Sequence, residues 1–285
     1  MTSRLSLLLL LLLACLVLPV RAQVPADASG QTRARAVVAR MIEAHGGMAR
    51  WKAAPSIRYD NTFFNPFAAQ QGENPWWYAQ EQIEQGRRRV VQEWTLDEAR
   101  LVYDGQETWT TNWQMGNPPR FMVHFFYYFL NLPWLTQDAS VRLGEPGEGR
   151  LPGFDKTYLT VRMTFVEEPT VGKTALDAFN LYIDPDTYRL QGYEYTLGYG
   201  PMLDAYDLPP GQLLGPILRI HDTFTRVEGL LMPARFHTTS LDGSTTYGYH
   251  IITNYRFDQP FDPSRLQKPA DAVIDTSTSK RKGTQ

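Results

Sequence analysis

The sequence predicts an α+β protein dominated by antiparallel strands. Three observations predict it. Apolar residues alternate with period two through most of residues 56–255, as half-buried strands require. Asp104-Gly105 and Asp242-Gly243 supply hairpin turns between such runs. Aromatic residues make up 13% of the chain, which suits strands carrying large inward side chains. No repeat of fixed period is present, so a propeller or solenoid is not expected.

The chain opens differently. Arg4 precedes an apolar run from Leu5 to Val20, and Val20-Arg21-Ala22 forms a small-residue cleavage pattern before Gln23. Residues 1–22 therefore read as a secretory signal, and the mature protein as periplasmic. Pro19 and Arg21 stop the run short of the roughly 20 apolar residues of a spanning helix, so no transmembrane helix is expected to remain. An alternative lies inside the run: Leu12-Leu13-Ala14-Cys15 resembles a lipobox, whose use would anchor the protein to the membrane by a lipid on Cys15. Leu13 in place of a small residue, and the apolar residues that continue past Cys15, favour soluble export.

Cys15 is the only cysteine, so cleavage after Ala22 leaves no disulfide in a compartment that would permit one. Stability must come from a hydrophobic core, and the mature length is ample for one large β domain. The chain carries 28 basic and 30 acidic residues, and two of the bases, Arg4 and Arg21, belong to the signal. A slightly acidic exported form does not suit nucleic acid, whose partners present a strongly basic face. The basic run Lys280-Arg281-Lys282 falls in a polar tail.

Along the mature chain, residues 23–31 read as a disordered lead-in. Val38, Met41 and Ile42 then recur at helical spacing from Thr32 to His45, with Thr32 as the cap and Gly46-Gly47 as the stop. Met48 to Ala53 adds one more turn and positions Trp51 for packing. Strands are expected near 56–64, 76–84, 87–96, 99–103 and 106–113, joined as a meander. Pro118 to Leu135 breaks the rhythm with Phe121, Met122, Phe125, Phe126, Tyr127, Tyr128, Phe129, Leu130, Leu132 and Trp134. Pro118 and Pro119 suit a helix start and Pro133 its end. A helix apolar on nearly every face must be buried or touch a hydrophobic ligand. Alternation resumes at Leu159 to Phe165, Phe179 to Ile183 and Tyr188 to Leu197. A loop rich in Gly and Pro, 198–216, leads to strands near 217–226, 230–241 and 245–255. The domain is expected to close at 262, leaving 263–285 as a disordered polar tail.

Several phrases together resemble an uncharacterised family of exported bacterial proteins related to the Lol-type periplasmic lipoprotein carriers. They are Ile42-Glu43-Ala44-His45-Gly46-Gly47 with Trp51, Tyr103-Asp104-Gly105 with Trp109, and Tyr127-Tyr128-Phe129 with Leu132-Pro133. Tyr182-Ile183-Asp184-Pro185-Asp186-Thr187 and Gly229-Leu230-Leu231-Met232-Pro233 continue the match. The resemblance implies a strongly curved antiparallel sheet, an unclosed barrel whose concave side is covered by an N-terminal helix and the aromatic helix, and it implies acyl-chain ligands.

In such a shell Trp94, Trp109, Met163, Phe165, Leu181, Phe224 and Phe236 would line the concave side, with Phe125, Tyr128, Leu132 and Trp134 as a lid. The expected ligand is a lipid, an acyl chain or another hydrophobic molecule, held without catalysis and without a cofactor. The same residues could instead fill the core completely, the commoner fate of aromatic stripes. A structural envelope component whose aromatic helix docks a protein partner is a further alternative.

Catalytic readings fare less well. His221, His237 and His250 could ligate zinc in an exported metal-dependent hydrolase. A two-residue turn at Asp242-Gly243 would place His237 and His250 diagonally on one face, but with the cation of Arg235 opposite His250. His45 suits a structural place at its helix end. Gly172-Lys173-Thr174 resembles the end of a phosphate loop, yet Glu167 stands where its first glycine belongs. Glu167-Glu168 and Asp184 with Asp186 sit in turns, where acids are solvated. No Gly-x-Ser-x-Gly elbow or His-Glu-x-x-His helix occurs.

Cleavage after Ala22 predicts an intact mass beginning at Gln23 with no lipid adduct, measured on protein recovered from the periplasm. A diacylated species beginning at Cys15 would contradict soluble export.

Overall fold

The computed structural model describes residues 29–169, 174–278 and 280. Residues 1–22 with Cys15, Gly172-Lys173 and Arg281-Lys282 lie outside the described residues. The elements are α1 (Gly30–Ala44), α2 (Met48–Ala53), β1 (Ser56–Phe64), α3 (Pro66–Gln70), β2 (Trp76–Glu84), β3 (Val90–Trp94), β4 (Ala99–Tyr103) and β5 (Thr108–Thr111). Next come α4 (Pro119–Leu130), α5 (Leu132–Leu135), β6 (Val141–Leu143), β7 (Gly147–Arg150), β8 (Thr157–Phe165), β9 (Ala178–Ile183) and β10 (Leu190–Leu197). The chain finishes with α6 (Gly200–Ala205), β11 (Leu214–Val227), β12 (Leu230–Thr239), β13 (Thr246–Arg256), a 3-10 turn (Pro263–Leu266) and β14 (Val273–Asp275).

All strands join one 14-stranded antiparallel sheet in the order β14-β5-β4-β3-β2-β1-β13-β12-β11-β10-β9-β8-β6, with β7 also paired to β8. Two meanders are thus spliced where β1 pairs β13, and β14 and β6 remain as free ends. The sheet curves strongly because α4 touches both meanders at once. Gln92 of β3 donates to the Met122 carbonyl of α4 at 3.2 Å, while Phe129 of α4 lies 5.6 Å from Tyr193 of β10. In a flat sheet those strands, six steps apart, would stand on the order of 30 Å from each other.

The main core fills the concave side between sheet, α1, α4 and α5. Trp51 and Trp134 stack with centroids 3.9 Å apart, and the Trp134 indole donates to the Gly47 carbonyl at 3.3 Å. Gly46 and Gly47, at φ 107° and 84°, end α1 as the sequence predicts. The helix starts earlier than Thr32, because the Ser29 hydroxyl caps it by accepting from the Thr32 N–H at 3.2 Å. Pro133 lies in the first turn of α5 rather than ending the aromatic helix, a position that spares its missing N–H.

Composition predicts a disordered polar tail from 263 to 285, yet residues 263–275 cross the convex side. Phe261, Leu266 and Ala272 pack on Val91, Val102 and Trp109, and Val273 to Asp275 pair with β5. A few apolar residues suffice because the sheet already offers an unpaired edge.

His45 is 1% exposed. Its Nδ1–H donates to the Leu231 carbonyl at 2.8 Å and its Nε2 accepts from the Leu190 N–H at 3.0 Å, so one ring joins α1 to β10 and β12. Burial lowers its pKa to about 4, and the ring stays neutral at neutral pH. His45→Ala strands both backbone groups and is expected to cost about 2–4 kcal/mol in urea unfolding at pH 7. A loss below about 0.5 kcal/mol would show that the bridge contributes little.

Candidate ligand-binding cavity

The helix α4 sorts its side chains between sheet and cavity. Val123, Tyr127 and Phe129 are buried in the core, Met122 and Phe126 are buried but reach the cavity wall, and Phe121 and Phe125, one turn apart, are only partly covered. These two rings, 5.0 Å apart, border a cavity of about 650 Å³. Its other walls are Phe63 and Trp77 from β1 and β2, Tyr195 and Leu197 from β10, Met202 from α6, Ile217 and Arg219 from β11, Thr238 from β12, and Gly248 and His250 from β13. Phe67, Tyr206 and Tyr247 are exposed at its rim. Gly248 lacks the Cβ that would strike the Phe63 ring, which lets that ring lie over the strand. The volume falls in the range of about 300–1,000 Å³ typical of small-molecule sites.

Two rungs of the sheet build the cavity's inner end. Tyr193, Arg219 and Thr238 are direct neighbours across β10, β11 and β12. His221, Phe236, His250 and Phe63 follow across β11, β12, β13 and β1. Arg219 is 3% exposed. Its guanidinium carbon lies 4.4 Å from the Phe129 centroid and 4.6 Å from that of Phe236. The rings of Phe125, Tyr193 and Tyr195 complete an aromatic cage at 5.7 to 5.9 Å. Nη1 donates to the Tyr193 hydroxyl at 3.3 Å and Tyr195 is a second hydroxyl partner of the guanidinium, while Nε meets no acceptor among the described residues. Among the described residues no carboxylate lies within 4.0 Å of the guanidinium.

The histidines do not form a metal site. His250 faces inward, its Nδ1 3.0 Å from Asn61 Oδ1, and burial together with the Arg219 charge holds its pKa well below 6.5. His221 also faces inward, Nδ1 donating to the Leu190 carbonyl at 2.8 Å, and burial lowers its pKa to about 3. His237 points to the convex side and pairs with Asp222 at 2.8 Å. The expectation that His237 and His250 share a face is therefore corrected. Phe236, not Arg235, opposes His250, and Arg235 opposes Ile251. The cause is a register shift between Thr238 and Thr239, since one extra residue turns every following side chain to the other face. Among the described residues no group of three His, Cys, Asp or Glu could hold a metal.

Of the residues singled out in the sequence, Phe125 lines the cavity, and Phe236 lines a narrow crevice behind Arg219. Trp94 edges a separate depression with Trp77 and Trp113. Tyr128, Leu132, Trp134, Met163, Phe165 and Leu181 are buried in the main core. Phe224 is half-buried beside His45 and His221. Trp109 faces the convex side, because Val91, Val102 and Trp109 form a rung of opposite parity to Gln92. Arg219, Phe63, Trp77, Tyr195, Ile217 and Thr238 were missed.

The shell so described is a Lol-like one, as the sequence resemblance implied. A LolA superfamily protein from Nitrosomonas europaea is similar in structure with a TM-score of 0.50 at 11% identity, over 82% of this chain and 97% of that one. A DUF1329 family protein from Desulfovibrio piger matches with a TM-score of 0.50 at 8% identity, over 84% and 98% of the two chains. Residues 121–202, from α4 to α6, match the model of a family of unknown function, DUF6503. No curated protein sequence matches the chain.

One buried acid fastens α4. Gln92 Nε2 donates to Glu81 Oε2 at 2.9 Å as well as to the Met122 carbonyl. Burial raises the Glu81 pKa to about 8, and hydrogen bonding counters only part of the shift. Between the unfolded value of 4.5 and about 8, the folded state keeps a proton that the unfolded state releases. Its stability contribution is therefore fully present below the unfolded value and lost as pH rises through the window. Glu81→Gln should gain on the native protein by a few kcal/mol between pH 5 and pH 8 in urea unfolding. A pH-independent difference would mean that Glu81 is ionised in the fold.

Proposed function

We propose that this is a non-enzymatic protein of the cell envelope that takes a hydrophobic ligand, a lipid or an acyl chain, into the cavity beside α4. The observation that carries this reading is the cavity of about 650 Å³, walled by Phe63, Trp77, Phe121, Phe125, Leu197 and Ile217. Each methylene buried there contributes about 0.8 kcal/mol, so affinity can build up from burial alone. The Lol-like fold supports the reading as an analogy of architecture. The envelope location rests on residues 1–22 as a secretory signal, which would release a diffusible single-domain carrier rather than one tethered through Cys15.

A neutral apolar fluorophore, N-phenyl-1-naphthylamine, tests the cavity without regard to head-group charge. Its emission should rise saturably on addition of the protein. Ile217→Trp, which adds bulk at a half-buried wall position, should weaken binding by about tenfold or more at unchanged melting temperature. Absence of an emission gain, or equal affinity in a folded Ile217→Trp variant, would refute the reading.

A further inference from the structure

The charge inside the cavity is harder to explain than the cavity itself. Burying an ion without a partner is unfavourable, and a purely apolar ligand would gain nothing from it. The aromatic cage offsets part of that cost through the ring quadrupoles. It leaves the N–H edge of the guanidinium with only the neutral hydroxyls of Tyr193 and Tyr195, and among the described residues no acceptor for Nε.

The remaining cavity wall does not supply the missing anion. Among the described residues, the ionisable groups that line the cavity are Arg219, His250 and the tyrosines Tyr195, Tyr206 and Tyr247, none of them a carboxylic acid. His250 is neutral and committed through Nδ1 to Asn61. Arginine stays protonated throughout the pH range of proteins, so the cavity carries one fixed positive charge at its inner end, and the rest of its wall is mainly apolar, with Asn65, Asn117 and Thr238 as further uncharged polar side chains.

From this arrangement we infer that the ligand is an anionic amphiphile, entering head first, whose carboxylate pairs with Arg219 while its apolar tail runs between Phe121, Phe125, Trp77 and Ile217 toward the rim. The inference rests on the hydrophobic-ligand reading above and specifies the head group. The planar guanidinium fork matches a carboxylate, and such charge-assisted bonds strengthen in a site that excludes water. Thr238, directly opposite Arg219 in the sheet, offers a hydroxyl at the same depth. An uncharged lipid would leave the guanidinium buried and unpaired, so the site selects against it.

Laurate and dodecanol, equal in chain length and different in charge, are competed against N-phenyl-1-naphthylamine at neutral pH. The native protein should prefer laurate by about tenfold or more. Arg219→Met should bring the two affinities together, and Arg219→Lys should keep part of the preference. Equal displacement by both amphiphiles, preference for the alcohol, or a preference that survives in Arg219→Met would overturn the inference while leaving an apolar-ligand protein. Fluorophore binding that neither amphiphile displaces would overturn it too. Failure of the fluorophore itself to bind would remove the underlying reading as well. The native protein's choice between acid and alcohol decides the matter even if the variants fail to fold.

Discussion

The enclosure of α4 is the constraint on which the rest of the structure depends. Phe126, Tyr127, Phe129 and Leu130 leave this helix with no face that water tolerates, and a flat sheet could cover only one side of it. Curvature resolves the conflict. β3 to β5 receive one flank and β9 to β11 the other, so Phe129 packs on Phe179 and Tyr193 while Gln92 holds the helix from the opposite meander. Enclosure is incomplete at Phe121 and Phe125, and there the cavity opens. Core and site are consequently two parts of one wrapping problem, solved with the same rings.

Electrostatics separates the two parts. Inside the shell, burial resolves most ionisable groups by neutralising them: Glu81 is raised to about 8, His45 is lowered to about 4 and His221 to about 3. Each also keeps a hydrogen-bond partner, which is how buried polar groups become tolerable. A guanidinium cannot take that route. Arg219 stays charged among five rings, and its position at the boundary of filled core and open cavity makes it, among the described residues, the charged side chain that lines the cavity.

Much of the fold was legible because periodicity survives where only one face is buried. β1, β2 and β4 fall where alternation places them, and the Pro118 to Leu135 segment is helical and buried as its composition demands. Arg219 was hidden by the opposite circumstance. In β11, Arg219 and His221 face the concave side while Leu218 and Ile220 face the convex one. Leu218 and Ile220 are covered on the convex side by Leu151, Tyr158 and Tyr182, so both faces of the strand are buried and alternation loses its meaning. The histidine register was lost to a single bulge, and Trp109 to a C-terminal segment that covers the convex side. Such features depend on contacts between segments far apart in the chain, and local pattern carries no trace of them.

The central claim is that the wrapped helix leaves a cavity whose inner end is charged and whose length is mainly apolar. The most direct measurement is a crystal structure of the protein with terminally brominated laurate, read by anomalous scattering. The account predicts the bromine peak near the rim, by Phe67 and Tyr206, with carboxylate density against Arg219. A cavity closed by its own side chains, or a ligand lying on the convex face, would contradict it.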